Sequence, residues 1–455
     1  MSKSVAEAYP VPSEKAILVA ADTYNGHRLW RAKDSLNELA ELAGTAGIEV
    51  VGKVIQRLPQ ANPVTYVGKG KLEELRQEFS LNPGLSMLIF DDELSPGQQR
   101  NIEKTLGERI KVLDRTALIL DIFAQHAHTR EGQIQVELAQ YEYLQPRLTG
   151  MWRHLVRQVG GRAGGAIGVG LRGPGETQLE TDRRQIRKRI SDLRRELDDV
   201  RASRHQHYRQ RQRKGLKTIA LVGYTNVGKS SLLNALSYGG NGSLDSDPPK
   251  AYVADQLFAT LDPTTRKVRL PAGTQVLFTD TVGFIEKLPH NLIAAFRATL
   301  EGIEEADLLL HVVDITVPKA EAQIATVQSI LADLGVADKP TIQVWNKIDA
   351  VPQWMTGSMI PGTLQVSALK GSGIEELLAA VEAVLRRALV AVRITIPYTE
   401  GALRSRIFSQ GSVQWFQEEA EGTRMQAFVP PALAEVLETY CDGNPQTSGT
   451  RNSVG

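Results

Sequence analysis

Cysteine is almost missing from this chain: its 455 residues include one, Cys441, close to the end. One thiol cannot form a disulfide within the chain, which excludes a disulfide framework and points to a reducing compartment. No apolar run approaches the ~18 residues of a membrane span, and the first ten residues, Met1 to Pro10, lack the apolar core of a signal peptide. Net charge is also nearly absent, at +1. With 42% hydrophobic and 23% charged residues, the composition is that of a soluble globular protein. The expectation is a cytoplasmic monomer, at most loosely associated with a membrane, and the length suggests about three domains.

The small net charge conceals an uneven distribution. Between Arg147 and Lys217 there are 19 Lys/Arg against 7 Asp/Glu, a net of +12, and the remainder holds 34 against 45, a net of −11. One segment is therefore suited to a polyanion.

The most informative stretch is Gly223-Tyr224-Thr225-Asn226-Val227-Gly228-Lys229-Ser230, which satisfies the phosphate-loop pattern G-x-x-x-x-G-K-[ST]. An apolar run precedes it from Leu216, and Leu232, Leu233, Ala235 and Leu236 follow with helical spacing. In a strand–loop–helix of this kind, backbone N–H groups and a helix N-terminus converge on an anion. Lys229 is placed to reach β- and γ-phosphates, and the Ser230 hydroxyl to ligate magnesium.

Three further motifs each follow an apolar strand. In Asp280-Thr281-Val282-Gly283 the carboxylate can hold a magnesium shell and the glycine N–H can meet a γ-phosphate. In Asn346-Lys347-Ile348-Asp349 the aspartate can accept from N1–H and the N2 amine of guanine, which adenine cannot offer. Ser367-Ala368-Leu369 can support guanine O6 through backbone donors.

Upstream, strands and helices alternate: strands at Lys15–Ala20, Glu49–Ile55, Met87–Phe90 and Arg109–Leu113, and helices at Lys33–Ala43, Lys71–Phe79, Pro96–Leu106 and Thr116–Ala124. This rhythm predicts an α/β domain with a mostly parallel sheet. Gly68-Lys69-Gly70-Lys71 reads as a helix-entry turn with some capacity for an anion, and Asp91-Asp92-Glu93 as a solvated acidic loop. Between these domains, Ile134, Leu138, Tyr141, Leu144 and Leu148 share one helical face, and Ile186, Ile190, Leu193, Leu197 and Val200 form a coiled-coil seam. An antiparallel helical hairpin is expected. Its long tip is rich in glycine and carries Trp152, Arg153, His154, Arg157, Arg162 and Arg172, which suit phosphate contacts and base stacking on RNA.

The four nucleotide motifs in this order resemble the Ras-like GTPase domain. That resemblance implies a six-stranded, largely parallel sheet with an antiparallel edge formed by Thr265–Leu270 and Gln275–Phe278. It implies that Phe258-Ala259-Thr260-Leu261-Asp262 is the first switch loop, with Thr260 as a second magnesium ligand. Thr264 and Thr265 are neighbours that spacing alone does not exclude. Lys229 and Thr260 would contribute to the transition state, while Phe284 stands where many Ras-like proteins carry the glutamine that orients water. Slow intrinsic hydrolysis, stimulated by a partner, is expected.

With Gly173-Pro174-Gly175-Glu176-Thr177-Gln178-Leu179-Glu180-Thr181-Asp182-Arg183-Arg184 added, the chain from about residue 15 to 440 resembles the HflX family of translation GTPases. Membership implies binding to large-subunit ribosomal RNA and splitting or rescue of stalled or hibernating ribosomes, with GTP as substrate and Mg2+ as cofactor. The expected domains are an α/β domain over 1–130, a hairpin over 131–215, a GTPase domain over 216–388, a small α+β domain over 389–440 and a disordered tail over 441–455. A different reading makes the protein an RNA-remodelling module with a second, ATP-binding site in the N-terminal domain.

Overall fold

The computed structural model describes residues 14–23, 30–107, 109–148, 178–213, 216–239, 257–258, 262–289, 297–352, 363–387 and 389–441. The chain forms two compact units: Met1–Arg201 with Ala254–Asp262 and Phe284–Thr299, and Ala202–Val253 with Pro263–Gly283 and Leu300–Gly455.

The first unit is built on strands β1 (Lys15–Thr23), β2 (Glu49–Leu58), β3 (Leu85–Phe90) and β4 (Lys111–Asp114), ordered β2-β1-β3-β4 with every neighbour parallel. Ala16 to Ala21 of β1 are all buried, as a central strand covered on both faces requires. At the edge, β2 alternates exposed and half-buried residues along its whole length. Helices α1 (Ala32–Thr45), α2 (Lys69–Leu81), α3 (Pro96–Leu106) and α4 (Arg115–His126) connect and cover the strands. Two helix starts are explicit in the sequence. Ser95 and Gln98 form a capping box ahead of Pro96, and Asp114 accepts from the Ala117 N–H. The fourth strand begins two residues later than its apolar pattern suggests, because Ile110 N–H closes a turn onto the Gly107 carbonyl.

Gly68 is a helix-entry turn, and its N–H donates to Gln56 Oε1 at 2.8 Å. The acidic triplet departs from expectation. Only Glu93 is exposed; Asp91 is fully buried beside Arg115, and Asp92 accepts from the Tyr66 hydroxyl. Its carboxylates face cations rather than solvent because β3 delivers them onto the N-terminal end of α4.

Helix α5 (Arg130–Leu144) and helix α6 (Gln178–Arg213) meet through Ile134, Leu138, Tyr141, Ile186, Ile190, Leu193 and Leu197. Leu144, Leu148 and Val200, which the heptad pattern would add, lie outside that cluster. Arg189 makes a two-pronged pair with Glu137 at 2.8 and 2.9 Å, and Arg194 reaches Glu142 at 2.8 Å. Two arginines of the basic helix are thus engaged with α5. The glycine-rich tip, with Trp152, Arg153, His154, Arg157, Arg162 and Arg172, lies outside the described residues.

In the second unit, β5 (Lys217–Gly223), β6 (Thr264–Arg269), β7 (Gln275–Asp280), β8 (Leu308–Asp314), β9 (Thr341–Asn346) and β10 (Leu364–Gln365) form a sheet ordered β10-β9-β8-β5-β7-β6. All neighbours are parallel except β6 and β7, the antiparallel edge. Helices α7 (Lys229–Gly239), α8 (Arg297–Glu304), α9 (Ala320–Asp333) and α10 (Ile374–Arg387) accompany it. Strand β8 is buried at all seven positions. Its loops, and those of β5, β7 and β9, leave from the carboxyl ends, where open α/β sheets gather ligands.

A smaller sheet follows, β11 (Val390–Ile396), β12 (Ser412–Glu419) and β13 (Gly422–Val429), antiparallel in the order β11-β13-β12. With helices α11 (Gly401–Gln410) and α12 (Pro431–Leu437) it encloses its own core, including Ile394, Ile407, Met425, Val429 and Leu437.

Candidate nucleotide site

The glycine loop joins β5 to α7. Gly228 has φ +91°, and a Cβ there would lie 2.4 Å from Asn346 Nδ2, so both conformation and space demand glycine. Asn226 also takes a left-handed conformation, φ +59°, which asparagine tolerates better than most residues. Lys229 is folded back into the loop, donating to the Gly223 carbonyl at 3.2 Å and the Tyr224 carbonyl at 2.7 Å. Burial lowers its pKa to about 8, partly offset by the negative charge of Asp280. His311 on β8 is lowered to about 4 by burial and by the Lys229 charge, so it is neutral at physiological pH.

Ser230 Oγ donates to Asp280 Oδ2 at 2.6 Å. Asp280 is fully buried at the end of β7. Beside it, Thr281 Oγ1 donates to the Leu221 carbonyl at 2.6 Å, tying this turn to β5, and Val282 is buried. At Gly283 a Cβ would sit 2.8 Å from Thr225 Cα and 3.0 Å from Lys229 Nζ, so only glycine brings this backbone so close to the lysine. Thr225 Oγ1 is buried in the loop with no hydrogen-bond partner among the described residues. A hydroxyl and a carboxylate at hydrogen-bond distance, next to a lysine cradle, fit a hard divalent cation such as magnesium, which takes oxygen ligands and keeps the rest of its shell from phosphate and water.

The Asn346–Asp349 motif is fastened to the same loop. Asn346 donates from Nδ2 to the Val227 carbonyl at 2.9 Å and accepts at Oδ1 from the Ala368 N–H at 3.0 Å. Lys347, φ +67°, donates to the Asn226 carbonyl at 2.8 Å and pairs with Asp314 at 2.7 Å. Asp349 Oδ1 accepts from Ser367 Oγ, which in turn accepts from the Lys370 N–H at 3.0 Å. Ile348 packs against the Val313, Ile315 and Trp345 cluster, while Leu369 is 83% exposed. All four motifs are thus joined within the second unit.

The remaining expected residues lie elsewhere. Phe258, Asp262 and Phe284 belong to the first unit. Phe258 is buried edge-on against Phe123, with ring centroids 4.6 Å apart, and Phe284 is 1% exposed. Ala259, Thr260 and Leu261 lie outside the described residues. Asp314 was not singled out by the motifs, although an aspartate closing the apolar run of β8 repeats the signal that marks Asp280 at the end of β7. Nothing in the sequence marks Thr129 as the partner of Asp262.

Three family models match: "GTP-binding GTPase N-terminal" over residues 33–124, "GTP-binding GTPase Middle Region" over 126–211 and "50S ribosome-binding GTPase" over 218–347. The GTPase HflX of Caldanaerobacter subterraneus is 43% identical over 94% of this chain and 94% of its own length. That of Escherichia coli K12 is 39% identical over 85% of this chain and 88% of its own. Among solved structures, a GTP-binding protein from the archaeon Sulfolobus solfataricus, in complex with GDP, aligns at 24% identity with a TM-score of 0.40, covering 82% of this chain and 99% of that one.

Proposed function

Because the chain belongs to the HflX family of GTPases, we propose that it binds and hydrolyses GTP and uses the nucleotide state to act on the ribosome. The observation that carries this reading is the bonded path from phosphate loop to base reader, Val227–Asn346–Ala368 and Asn226–Lys347–Asp314. It fixes the distance between a triphosphate and a purine, so one ligand engages both ends.

In this reading, residues 223–230 wrap the phosphates, 280–283 face the γ-phosphate, 346–349 read guanine and 367–369 back its O6. Residues 258–262 contribute the first switch. Lys229 neutralises charge on the β- and γ-oxygens. Ser230 and Thr260 would hold magnesium, which when bound supplies Lewis-acid stabilisation of the phosphate charge. Water adds to the γ-phosphorus, the bond to the β–γ bridging oxygen breaks, and the water's proton leaves with inorganic phosphate. Phe284 offers no hydrogen bond and is buried, so the chain supplies no glutamine at this position to orient the water. Intrinsic turnover is then slow, and a partner accelerates it by ordering the switch segments.

The partner in this reading is the large ribosomal subunit. The match to a "50S ribosome-binding GTPase" model and the net charge of +12 over residues 147–217 support it. Trp152, Arg153, Arg157, Arg162 and Arg172 contact its RNA, and the outcome is splitting or rescue of ribosomes by a monomer. Among the described residues no helix is long and apolar enough to cross a membrane.

Sedimentation with large subunits under GDP, GTP and a non-hydrolysable GTP analogue, with phosphate release measured in parallel, tests the reading. GTP-dependent binding with stimulated hydrolysis is expected. Binding that ignores the nucleotide, with unstimulated hydrolysis, would overturn it.

A further inference from the structure

Two short pieces of chain leave the second unit and are built into the first: Ala254–Asp262, ahead of β6, and Phe284–Thr299, after Gly283. Each is fastened there by several independent contacts. Asp262 accepts at Oδ2 from the backbone N–H groups of His128 and Thr129, both at 2.9 Å, and at Oδ1 from the Thr129 hydroxyl. Thr129 also caps α5 by accepting from the Gly132 N–H at 3.0 Å. The carboxylate thus lies at the positive end of the α5 dipole, where negative charge is favoured. Four residues earlier, Phe258 is held at φ +59° with its ring buried against Phe123.

The second piece repeats the arrangement. Phe284 and Ile285 are buried. Arg115 donates to the Glu286 carbonyl at 2.8 Å. Lys287, at φ +54°, pairs with Asp92 at 2.6 Å and with the fully buried Asp91. Asp91 is also paired with Arg115, itself 1% exposed and bonded to Glu38 at 2.7 Å. A bulky residue with positive φ persists only where its surroundings over-determine it, and both Phe258 and Lys287 are in that condition.

We infer that Asp262 and Lys287 are positioning residues, which hold the two nucleotide-responsive segments on the first unit, and that Gly132 is the seat of the first latch. The inference rests on the GTPase reading above. Each segment is covalently continuous with the nucleotide site, through Asp262–Pro263 and Gly283–Phe284. A change of nucleotide that shifts either segment must therefore carry the first unit with it or break its latch. Both latches are made within the first unit, whereas residues 223–230 and 346–349 belong to the second, so breaking one separates holding a nucleotide from responding to it.

Gly132 offers a clean test, because a Cβ there would sit 2.6 Å from Asp262 Oδ1 and 3.2 Å from Thr129 Oγ1, while alanine is the better helix former. In the full chain, Gly132→Ala is expected to keep affinity for a fluorescent GDP within about twofold, to reduce subunit-stimulated phosphate release by about tenfold or more, and to raise amide exchange in residues 257–263. Thr129→Val should reproduce the loss and Thr129→Ser should rescue it. At the other latch Lys287→Met should lose stimulation and Lys287→Arg retain part of it. Unchanged stimulation and exchange in both Gly132→Ala and Thr129→Val, or nucleotide affinity lost in step with stimulation, would overturn the latch. Wild-type protein that neither binds GTP nor responds to subunits would instead overturn the GTPase reading itself.

Discussion

Asn346, the last residue of β9, gives its Nδ2–H to the carbonyl of Val227, 119 residues earlier in the glycine loop, and takes the Ala368 N–H at Oδ1. It is buried, so removing it leaves a buried acceptor and a part-buried donor without partners. Asn346→Ala should lower folding stability by about 2–4 kcal/mol and weaken GDP binding more than 100-fold. Urea melts and fluorescent-nucleotide titration check both. Asn346→Asp keeps the acceptor but loses the donor, and should recover only the Ala368 contact.

Asp314 holds Lys347 from behind at 2.7 Å and also accepts from the Thr316 N–H and hydroxyl. Asp314→Asn keeps the threonine contacts and removes the charge. Nucleotide affinity should fall about tenfold for guanine and inosine nucleotides alike, because the aspartate steers the lysine rather than the base. Competition titrations measure this, and a guanine-selective loss would contradict it.

The buried ammonium of Lys229 makes the nucleotide-free protein pH-dependent. Its folded pKa of about 8 lies below the ordinary lysine value of 10.5, so between these values the unfolded chain binds more protons and stability rises with pH. The span corresponds to about 3 kcal/mol. Thermal melts without nucleotide should climb from pH 8 towards pH 10, and Lys229→Met should flatten the curve, raise the melting temperature at pH 7 and abolish nucleotide binding.

His311 acts at the other end of the scale. With a folded pKa of about 4 against 6.5, its contribution is complete above pH 6.5 and is lost as pH falls towards 4, again by about 3 kcal/mol. Denaturant midpoints should drop through that window. His311→Leu should remove that part of the acid sensitivity and leave the behaviour above pH 7 unchanged.

Much of the fold was legible because its signals are local. The strand–helix alternation over residues 15–124, the apolar run from Leu216 and the helical spacing after Ser230 each name an element without help from distant residues. The nucleotide loop was legible for a different reason: Gly228 and Gly283 sit where no Cβ fits, and such positions leave a sequence mark. Asp262–Thr129 and Lys287–Asp91 left none. These pairs are 133 and 196 residues apart, and nothing about a lone threonine or lysine reports which carboxylate it will meet. The same limit misread Asp91: an acidic triplet after a strand looks solvated until the buried Arg115 beneath it is known. Helix α5 shows a partial case, in which heptad spacing found the seam but overran it at Leu144, Leu148 and Val200.

Because Ala254–Asp262 and Phe284–Thr299 belong to the first unit, its construction cannot follow the order of synthesis. A nascent chain that has emerged only as far as Arg201 still lacks Phe258, Asp262, Phe284 and Lys287, and so lacks the contacts these make with Phe123, Thr129 and the buried Asp91. Arg115 can already pair with Glu38 and Asp91 but has yet to gain the Glu286 carbonyl. The four-stranded sheet can assemble early, but its first closing piece, Ala254–Asp262, follows β5 and α7, and its second, Phe284–Thr299, follows β6 and β7 as well. Maturation of the two units is therefore interleaved, and a chain cut at their first boundary would leave the first unit without its two closing pieces, which would stay attached to the second.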